Sequence, residues 1–429
     1  MPTILIAGAG HGGLSAAKRL AEAGCDVHIY EKCSRSTIGH DWADYIPINA
    51  LAENGFTPIP HEKLAPCYPM CFVSPMKAIT AGPPDRKRLV PHGVHAGRRD
   101  IAASMIADCE AAGVHFHFGC AILQPLAEGK RIKGFSYTDE SGQTAEVRGD
   151  MVIDAAGAFS PIRMQLPKEC RVPKKYGKYQ VMYAWRGVFN RLPGEPESMI
   201  DIYLYHRNRR GISWVMTEPA YMDVLLSAMD RPITEEEIEE ALTDLRESNP
   251  RIGKTRLQGG YQAPLPLRRP LARFVCDGYC AVGDSACFCG PLDGCGIRAA
   301  IRQGQILAEV LLQAAGDYSV EKLWQYQLRS LEELDTARRC REDRMRQMLM
   351  RLKPAQVELL FQSGLIGHRR LRKPRDGIKL LTDYPKLLAL LPRFAAMLLK
   401  TRVLKLCLQH FPKHYPHRPN LWQSIYEKS

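Results

Sequence analysis

The chain has 429 residues, 45% hydrophobic and 24% charged, with a mean hydropathy of −0.25. That composition excludes a disordered, collagen-like or disulfide-scaffold chain and is enough for two or three domains with substantial cores. The formal net charge of +13 is unevenly spread: from Arg338 onward there are 21 Lys+Arg against 6 Asp+Glu, a net of +15, while the remainder is −2.

Residues 4–7 (ILIA) form a short apolar run, as expected for a strand buried on both faces. Gly8, Gly10 and Gly13 come next in a G-x-G-x-x-G pattern, with His11 and Gly12 inside it. Residues 14–23 have helical periodicity, and Gly24 is placed to cap the helix. Residues 27–30 read as a second strand, with Glu31 and Lys32 at its carboxyl end. Each part has a physical task in binding a dinucleotide. The glycines make a tight turn, let backbone approach a pyrophosphate, and let helix pack on strand. The helix N-terminus offers free N–H groups to phosphate, and Glu31 is placed for a ribose hydroxyl.

Residues 40–56 are expected to form a helix with turns at both ends, and residues 70–90 two strands about the turn Gly82-Pro83-Pro84-Asp85. Arg98 and Arg99 open a helix over 100–112 that ends at Gly113. Then come a strand over 114–118, a strand and hairpin over 121–147 turning at Glu140-Ser141-Gly142, and a short strand over 151–155. Residues 180–230 change character to successive aromatic-rich strands, predicting an antiparallel sheet set apart from the parallel one. An acidic helix over 234–246, a strand over 279–282 and a long helix over 296–315 complete the pattern.

Two further blocks stand out, residues 152–163 (VIDAAGAFSPIR) and 279–301 (YCAVGDSACFCGPLDGCGIRAAI). With the first, their order and spacing resemble the flavoproteins of the p-hydroxybenzoate hydroxylase type over about residues 1–315. That family's third block reads G-D-A-A-H then P-x-x-G-x-G; Gly283, Asp284, Pro291, Gly294 and Gly296 match it. The resemblance implies FAD as cofactor, Asp284 on its ribityl chain, and backbone from Gly294 through Cys295 and Gly296 to Ile297 close to the flavin ring. It also implies a cofactor contact for Arg98, which opens an R-x-x-[apolar]-x-x-x-[apolar] pattern, and a place for Gly157 in the second block. A helix N-terminus with glycines can stabilise the charge of a reduced flavin independently of any family. Two departures stand: Cys287 replaces the histidine after G-D-A-A, and Ala155-Ala156-Gly157 replaces A-D-G, which argues against direct NADPH-dependent aromatic hydroxylation.

Residues 211–216 (GISWVM) resemble the G-Y-x-W-x-F-P stretch of geranylgeranyl reductases, with Met216-Thr217 in place of Phe-Pro. Trp214 is then either a wall of a cavity over the flavin or ordinary sheet core. Cys287, Cys289 and Cys295 bracket the segment expected beside the flavin. A thiol at a helix N-terminus can have a lowered pKa and act as an acid or form an adduct; the alternative is small buried residues in a tight loop. None of the 14 cysteines has zinc or ferredoxin spacing, so no metal site is expected. Residues 1–10 run straight into the first strand, and no apolar run reaches about 18 residues. Neither a signal peptide nor a transmembrane helix is expected, which implies a cytoplasmic setting with reduced thiols. Residues 344–353 and 385–408 are basic and apolar by turns. They suit an interfacial helix on an anionic membrane surface, or a helical subdomain packed on the core. No aromatic-studded module points to nucleic acid.

The expectation is an α/β protein: a Rossmann-like FAD-binding domain of parallel sheet and helices (1–170 and 272–330), an antiparallel-sheet substrate domain (171–271) and a basic helical C-terminal region (338–429). The implied function is an FAD-dependent oxidoreductase, resembling geranylgeranyl reductases, acting at flavin N5 on an apolar, lipid-like substrate. The alternative is a flavin-dependent monooxygenase acting on an aromatic or olefinic substrate, and electrons come from NAD(P)H or a reduced carrier protein.

Overall fold

The computed structural model describes residues 1–68, 70–82, 93–194, 199–363 and 366. The expected C-terminal segment at 385–408 and the turn at 83–85 lie outside the described residues.

The first apolar run is strand β1 (Thr3–Ala7), followed by helix α1 (His11–Glu22) and strand β2 (Asp26–Glu31). They belong to a six-stranded sheet in the order Val275–Cys276, Tyr279–Ala281, Met151–Asp154, β1, β2, His115–Phe118. Every pairing is parallel except that of the outermost short strand. Helix α1 packs on β1 and β2, and strand Arg131–Thr138 of a three-stranded meander packs on Met151–Asp154, so Ile4, Leu5, Ile6 and Ala7 are fully buried, as are Met151, Val152 and Ile153. Strand register aligns the loops. Ala7 pairs Asp154, and Asp154 pairs Ala281, so three strands end level with one another. The three loops that leave those ends emerge side by side, at the edge where open α/β sheets bind ligands.

Helix α1 lies against helix Ile297–Ala314. A Cβ at Gly304 would sit 2.3 Å from the Gly12 carbonyl, so the two backbones approach to a distance only glycine allows. A three-stranded meander (Ala121–Glu128, Arg131–Thr138, Thr144–Arg148) matches the expected strand and hairpin.

The second large sheet has seven strands in the order Ile252–Leu265, Met182–Arg191, Tyr221–Met229, Ile212–Thr217, Met199–Leu204, Met70–Val73, Thr80–Ala81. It is antiparallel except where Met199–Leu204 runs parallel to Met70–Val73. Helix Glu235–Ser248 covers one face with Ile238, Ala241, Leu242 and Leu245, and starts with a capping box between Thr234 and Glu237. The C-terminal helices Thr336–Arg351 and Pro354–Gln362 bring Met350, Leu352, Val357 and Phe361 against Ala184, Tyr205, Leu225 and Met229. Within residues 344–353, Met350 and Leu352 are thus packed in the core, while Met345 is exposed.

The expected helix over 40–56 is corrected. Residues Ala43–Pro47 form strand β3, which pairs with Gly93–Gly97, and only Ala52–Asn54 make a single 3₁₀ turn. The local pattern is helix-compatible, but the strand belongs to a small sheet that only forms once residues 64–66 and 93–97 arrive.

Candidate functional site

The glycine loop between β1 and α1 is held by its neighbours. Gly8 has φ +87°, and its N–H donates to the Tyr30 carbonyl at 2.8 Å. A Cβ at Gly8 or Gly10 would come 2.9 or 2.7 Å from the Ala155 carbonyl oxygen, and one at Gly13 would strike the Ala155 side chain at 2.7 Å. Gly12 faces Val282 and the Ala300 carbonyl. The first block is thus built against both others. Glu31 is buried at the end of β2 and accepts hydrogen bonds from the Ala9 N–H at 2.8 Å and the Cys33 N–H at 2.9 Å. Its neighbour Lys32 is exposed. No side chain caps α1, whose N-cap is Gly10, and its first turn carries no acid, so its leading N–H groups are left for a ligand.

The second loop is wired to the third. Asp154 is fully buried and accepts from the Ser160 and Tyr279 hydroxyls at 2.5 and 2.8 Å, the Ser285 hydroxyl at 3.0 Å and the Ala156 N–H at 3.1 Å. The Gly157 N–H donates to Ser285 Oγ at 2.9 Å. Gly157 has φ +87°, and open space lies where its Cβ would be. In the third block Gly283 and Asp284 sit in a 3₁₀ turn. Pro291 is buried, Gly294 takes φ +69°, Gly296 is the N-cap of helix Ile297–Ala314, and Ile297 is buried at its first position. That helix, like α1, has no side-chain cap and no acid in its first turn. A Cβ at Gly296 would lie 3.5 Å from Asp284 Oδ1. Among the described residues nothing hydrogen-bonds the Asp284 carboxyl, and its burial pushes its pKa up, against the pull of Arg98 and Arg339.

Arg98, the first residue of helix α2 (Arg98–Ala111), joins this group from the other side. Its backbone N–H donates to the Trp42 carbonyl at 3.0 Å and its guanidinium lies 3.3 Å from Asp44. Asp44 is half-buried; its desolvation pushes the carboxyl up, but Arg98 and Arg186 outweigh that and hold it below the usual range. His11 faces the same charges. Burial and Arg98 push its imidazole down to about 3, and its Nε2 is buried with no hydrogen-bond partner.

Sequence reasoning missed the half of this cluster that lies on the seven-stranded sheet. Arg186, on strand Met182–Arg191, is buried between the rings of Trp42 and Trp214, 5.5 and 5.2 Å from their centroids. Its Nε donates to Asp223 at 2.8 Å, its NH1 to Asp44 at 2.7 Å, and its NH2 to the Ala43 carbonyl at 2.7 Å. His40 stacks on Trp42, and the Tyr261 hydroxyl donates to Asp41 at 2.9 Å. One signal was in the sequence: Arg186 is the one charge in the apolar run 181–189, and Asp223 the one charge in 222–229. A charge in each of two strands that pair is a buried ion pair in waiting. Trp214 is half-buried with its indole N–H unpartnered, consistent with a wall as much as with core.

Cys287 and Cys289 have the surroundings of small buried residues in a tight loop. Cys287 and Cys289 are buried, and burial pushes both thiols up. Cys287 lies 3.9 Å from the Tyr176 hydroxyl, and the Cys289 thiol donates to the Gly294 carbonyl at 3.1 Å. Cys295 is exposed as a residue, but crowding around its sulfur and the carboxylates of Asp293 and Asp44 push its thiol up to about 12. Burial outweighs the helix N-terminus here, so all three stay protonated at neutral pH.

The donor set fits FAD. Two uncapped helix N-termini suit a pyrophosphate and a charged ring edge, the half-buried Asp284 carboxyl suits ligand hydroxyls, and open space beside Gly157 leaves backbone accessible.

The family model of FAD-dependent oxidoreductases matches residues 73–309, and that of a Rossmann-like NAD(P)-binding domain matches residues 6–57. The digeranylgeranylglycerophospholipid reductase of Haloferax volcanii is 25% identical over 322 residues, covering 71% of this chain and 74% of its own. The enzyme of the same name from Methanosphaerula palustris is 28% identical over 349 residues, covering 75% and 80%. Among solved structures, a geranylgeranyl bacteriochlorophyll reductase-like protein from Thermoplasma acidophilum superposes with a TM-score of 0.72 at 19% identity, over 92% of this chain and 99% of that one. A flavin-dependent brominase superposes with a TM-score of 0.60 at 16% identity, over 88% and 93%. At these identities the structural likeness speaks for the fold.

Proposed function

The chain belongs to the FAD-dependent oxidoreductase family, and from that premise we propose that it moves a hydride between flavin N5 and an apolar, isoprenoid-like lipid. The observation that carries the reading is the convergence of three loops. Gly8 and Gly10 lie on Ala155, Gly157 on Ser285, and Gly12 on Val282 and Ala300. The substrate class rests on the relatives' names and on the aromatic-rich sheet that carries Trp214.

When bound, FAD supplies a two-electron carrier of hydride. The chain's own residues bind and orient it. The N–H groups at the start of α1 hold phosphate, Glu31 faces the ribose, and Asp284 takes ribityl hydroxyls. Arg98 adds a cation, and the N-terminus of Ile297–Ala314 steadies negative charge on the ring. In this reading residues 1–170 and 272–330 carry the cofactor. Residues 171–271, joined by the strands at 70–73 and 80–81, present the substrate face. Cys295 Sγ, protonated and the exposed thiol of the three, is the candidate proton donor to a reduced double bond. Trp214, unpartnered at its N–H, is the candidate wall.

The electron donor is NAD(P)H bound transiently or a reduced carrier protein. Oxygen transfer is the weaker reading. Ala156 stands where the hydroxylases have aspartate, and the nearby Asp154 is buried and fully engaged by Ser160, Tyr279 and Ser285. No helix of the described residues is long and apolar enough to cross a membrane; in this reading contact with an anionic bilayer falls to the basic, apolar stretch 385–408.

The test is a spectrum and a titration. Purified protein should be yellow, be bleached by one class of reductant, and be reoxidised by a polyprenyl olefin. Fast substrate-dependent oxygen uptake with an oxygenated product would favour the monooxygenase. A colourless protein that FAD cannot reconstitute would remove the proposal.

A further inference from the structure

Residues 41–44 form a bridge between the cofactor loops and the seven-stranded sheet. On the sheet side, Arg186 donates to Asp44 Oδ1 and the Ala43 carbonyl, and Asp223 takes its Nε. Tyr261 and the Gly259 N–H bond Asp41 at 2.9 and 3.0 Å. On the cofactor side, Arg98 bonds the Trp42 carbonyl through its backbone and faces Asp44 Oδ2 through its guanidinium. Each Asp44 oxygen therefore serves a different arginine. The four groups, Arg98, Asp44, Arg186 and Asp223, sum to zero charge, and Arg186 and Asp223 are almost completely buried. Arg186 donates from all three guanidinium nitrogens, is packed between two indoles, and cannot shift without breaking several bonds. Arg98 has one carboxylate and less burial. The rigid arginine thus sets the carboxylate, and the carboxylate sets the looser arginine.

Resting on the cofactor reading, we propose that Asp44 and Arg186 are positioning residues that act through Arg98: the substrate-side sheet places, by way of one shared carboxylate, the cation that meets FAD. A consequence is that a change on the sheet, far along the chain from any glycine loop, alters how tightly the cofactor is held. Nothing in the glycine motifs themselves contains this coupling.

The test is a double-mutant cycle on FAD affinity. Deflavinated protein is titrated with FAD by fluorescence quenching for the wild type, Asp44→Asn, Arg98→Ala and the double variant, with the midpoint potential of the bound flavin as second readout. Coupled contacts of this kind are worth of order 1–2 kcal/mol, about tenfold in Kd. Asp44→Asn should therefore weaken FAD about tenfold alone and under about twofold in the Arg98→Ala background, and the potential should shift in the first case and not in the second. Fully additive losses, or an Arg98→Ala variant that binds FAD as the wild type does, overturn the inference and leave FAD binding standing. A wild type that takes up no FAD overturns the cofactor reading and this one with it. Should Asp44→Asn fail to fold, the paired replacement Arg186→Met with Asp223→Leu, which leaves no lone buried charge, enters the same cycle. Loss of affinity confined to the Arg98-containing background supports the coupling, and unchanged affinity refutes it.

Discussion

Three glycines in the cradle separate two physical costs that are usually confounded. Gly10 has φ −66° and ψ 153°, which any residue adopts, yet its added Cβ would lie 2.7 Å from the Ala155 carbonyl oxygen. Gly157 has φ +87° and open space where the Cβ would go. Gly8 combines φ +87° with an approach of 2.9 Å to the same carbonyl. Alanine at Gly10 therefore meets crowding alone, at about 1–3 kcal/mol for overpacking against backbone that cannot rotate away. Alanine at Gly157 meets left-handed strain alone, about 1–2 kcal/mol. Alanine at Gly8 meets both, about 2–5 kcal/mol. The clash at Gly10 is relieved by pushing the first loop off the second, which widens the cradle, whereas strain at Gly157 leaves the loops in register. Urea unfolding of the apo protein measures the first effect. The extra stabilisation on adding FAD, which grows with the logarithm of ligand concentration over Kd, measures the second. The expected order of apo stability loss is Gly8→Ala, then Gly10→Ala, then Gly157→Ala, with FAD stabilisation weakened most by the first two. A Gly10→Ala protein as stable as the wild type and fully stabilised by FAD would refute the claim that the first two blocks are pressed together to form the site.

Asp284→Ala should strip most of the flavin while leaving the fold intact, read from the visible spectrum of the purified protein. Because burial raises the folded-state pKa of Asp284, apo wild type loses stability as pH rises from the unfolded carboxylate value near about 4 through the folded value. Asp284→Asn should therefore gain in apo melting temperature over the wild type as pH rises, and a constant difference would contradict that reading. His11 behaves in the opposite sense: its imidazole falls from 6.5 to about 3 on folding, so the stability it confers is present above 6.5 and lost as pH falls toward 3. His11→Gln should flatten the acid limb of the apo melting curve in that window. In native protein at pH 8 an alkylating maleimide should label Cys295 ahead of Cys287 and Cys289, since all three are protonated but only the first is exposed; prompt labelling of Cys287 would show that the third loop opens in solution.

Much of the cofactor side is legible in the chain alone. The strand–helix–strand unit at 3–31, the long helix after Gly296 and the acidic helix that opens at Thr234 all rest on periodicities and residue types that act within a few turns. Those interactions are short-range, so local sequence states them. The run 40–56 resists the same treatment because its strand depends on Gly93–Gly97, some fifty residues away, and on Arg186, which reaches Asp44 across 142 positions.

In the proposed reading local sequence encodes the cofactor grip: glycines where backbone must touch backbone or turn left-handed, an acid at the end of the second strand, and helix starts without side-chain caps. The assembled fold completes that grip. The level ends of three parallel strands bring the loops together, and one carboxylate shared by two arginines joins them to the second sheet. Strand register and buried charge pairing are set by burial and by partners distant in the chain, and no local pattern encodes which distant partner arrives.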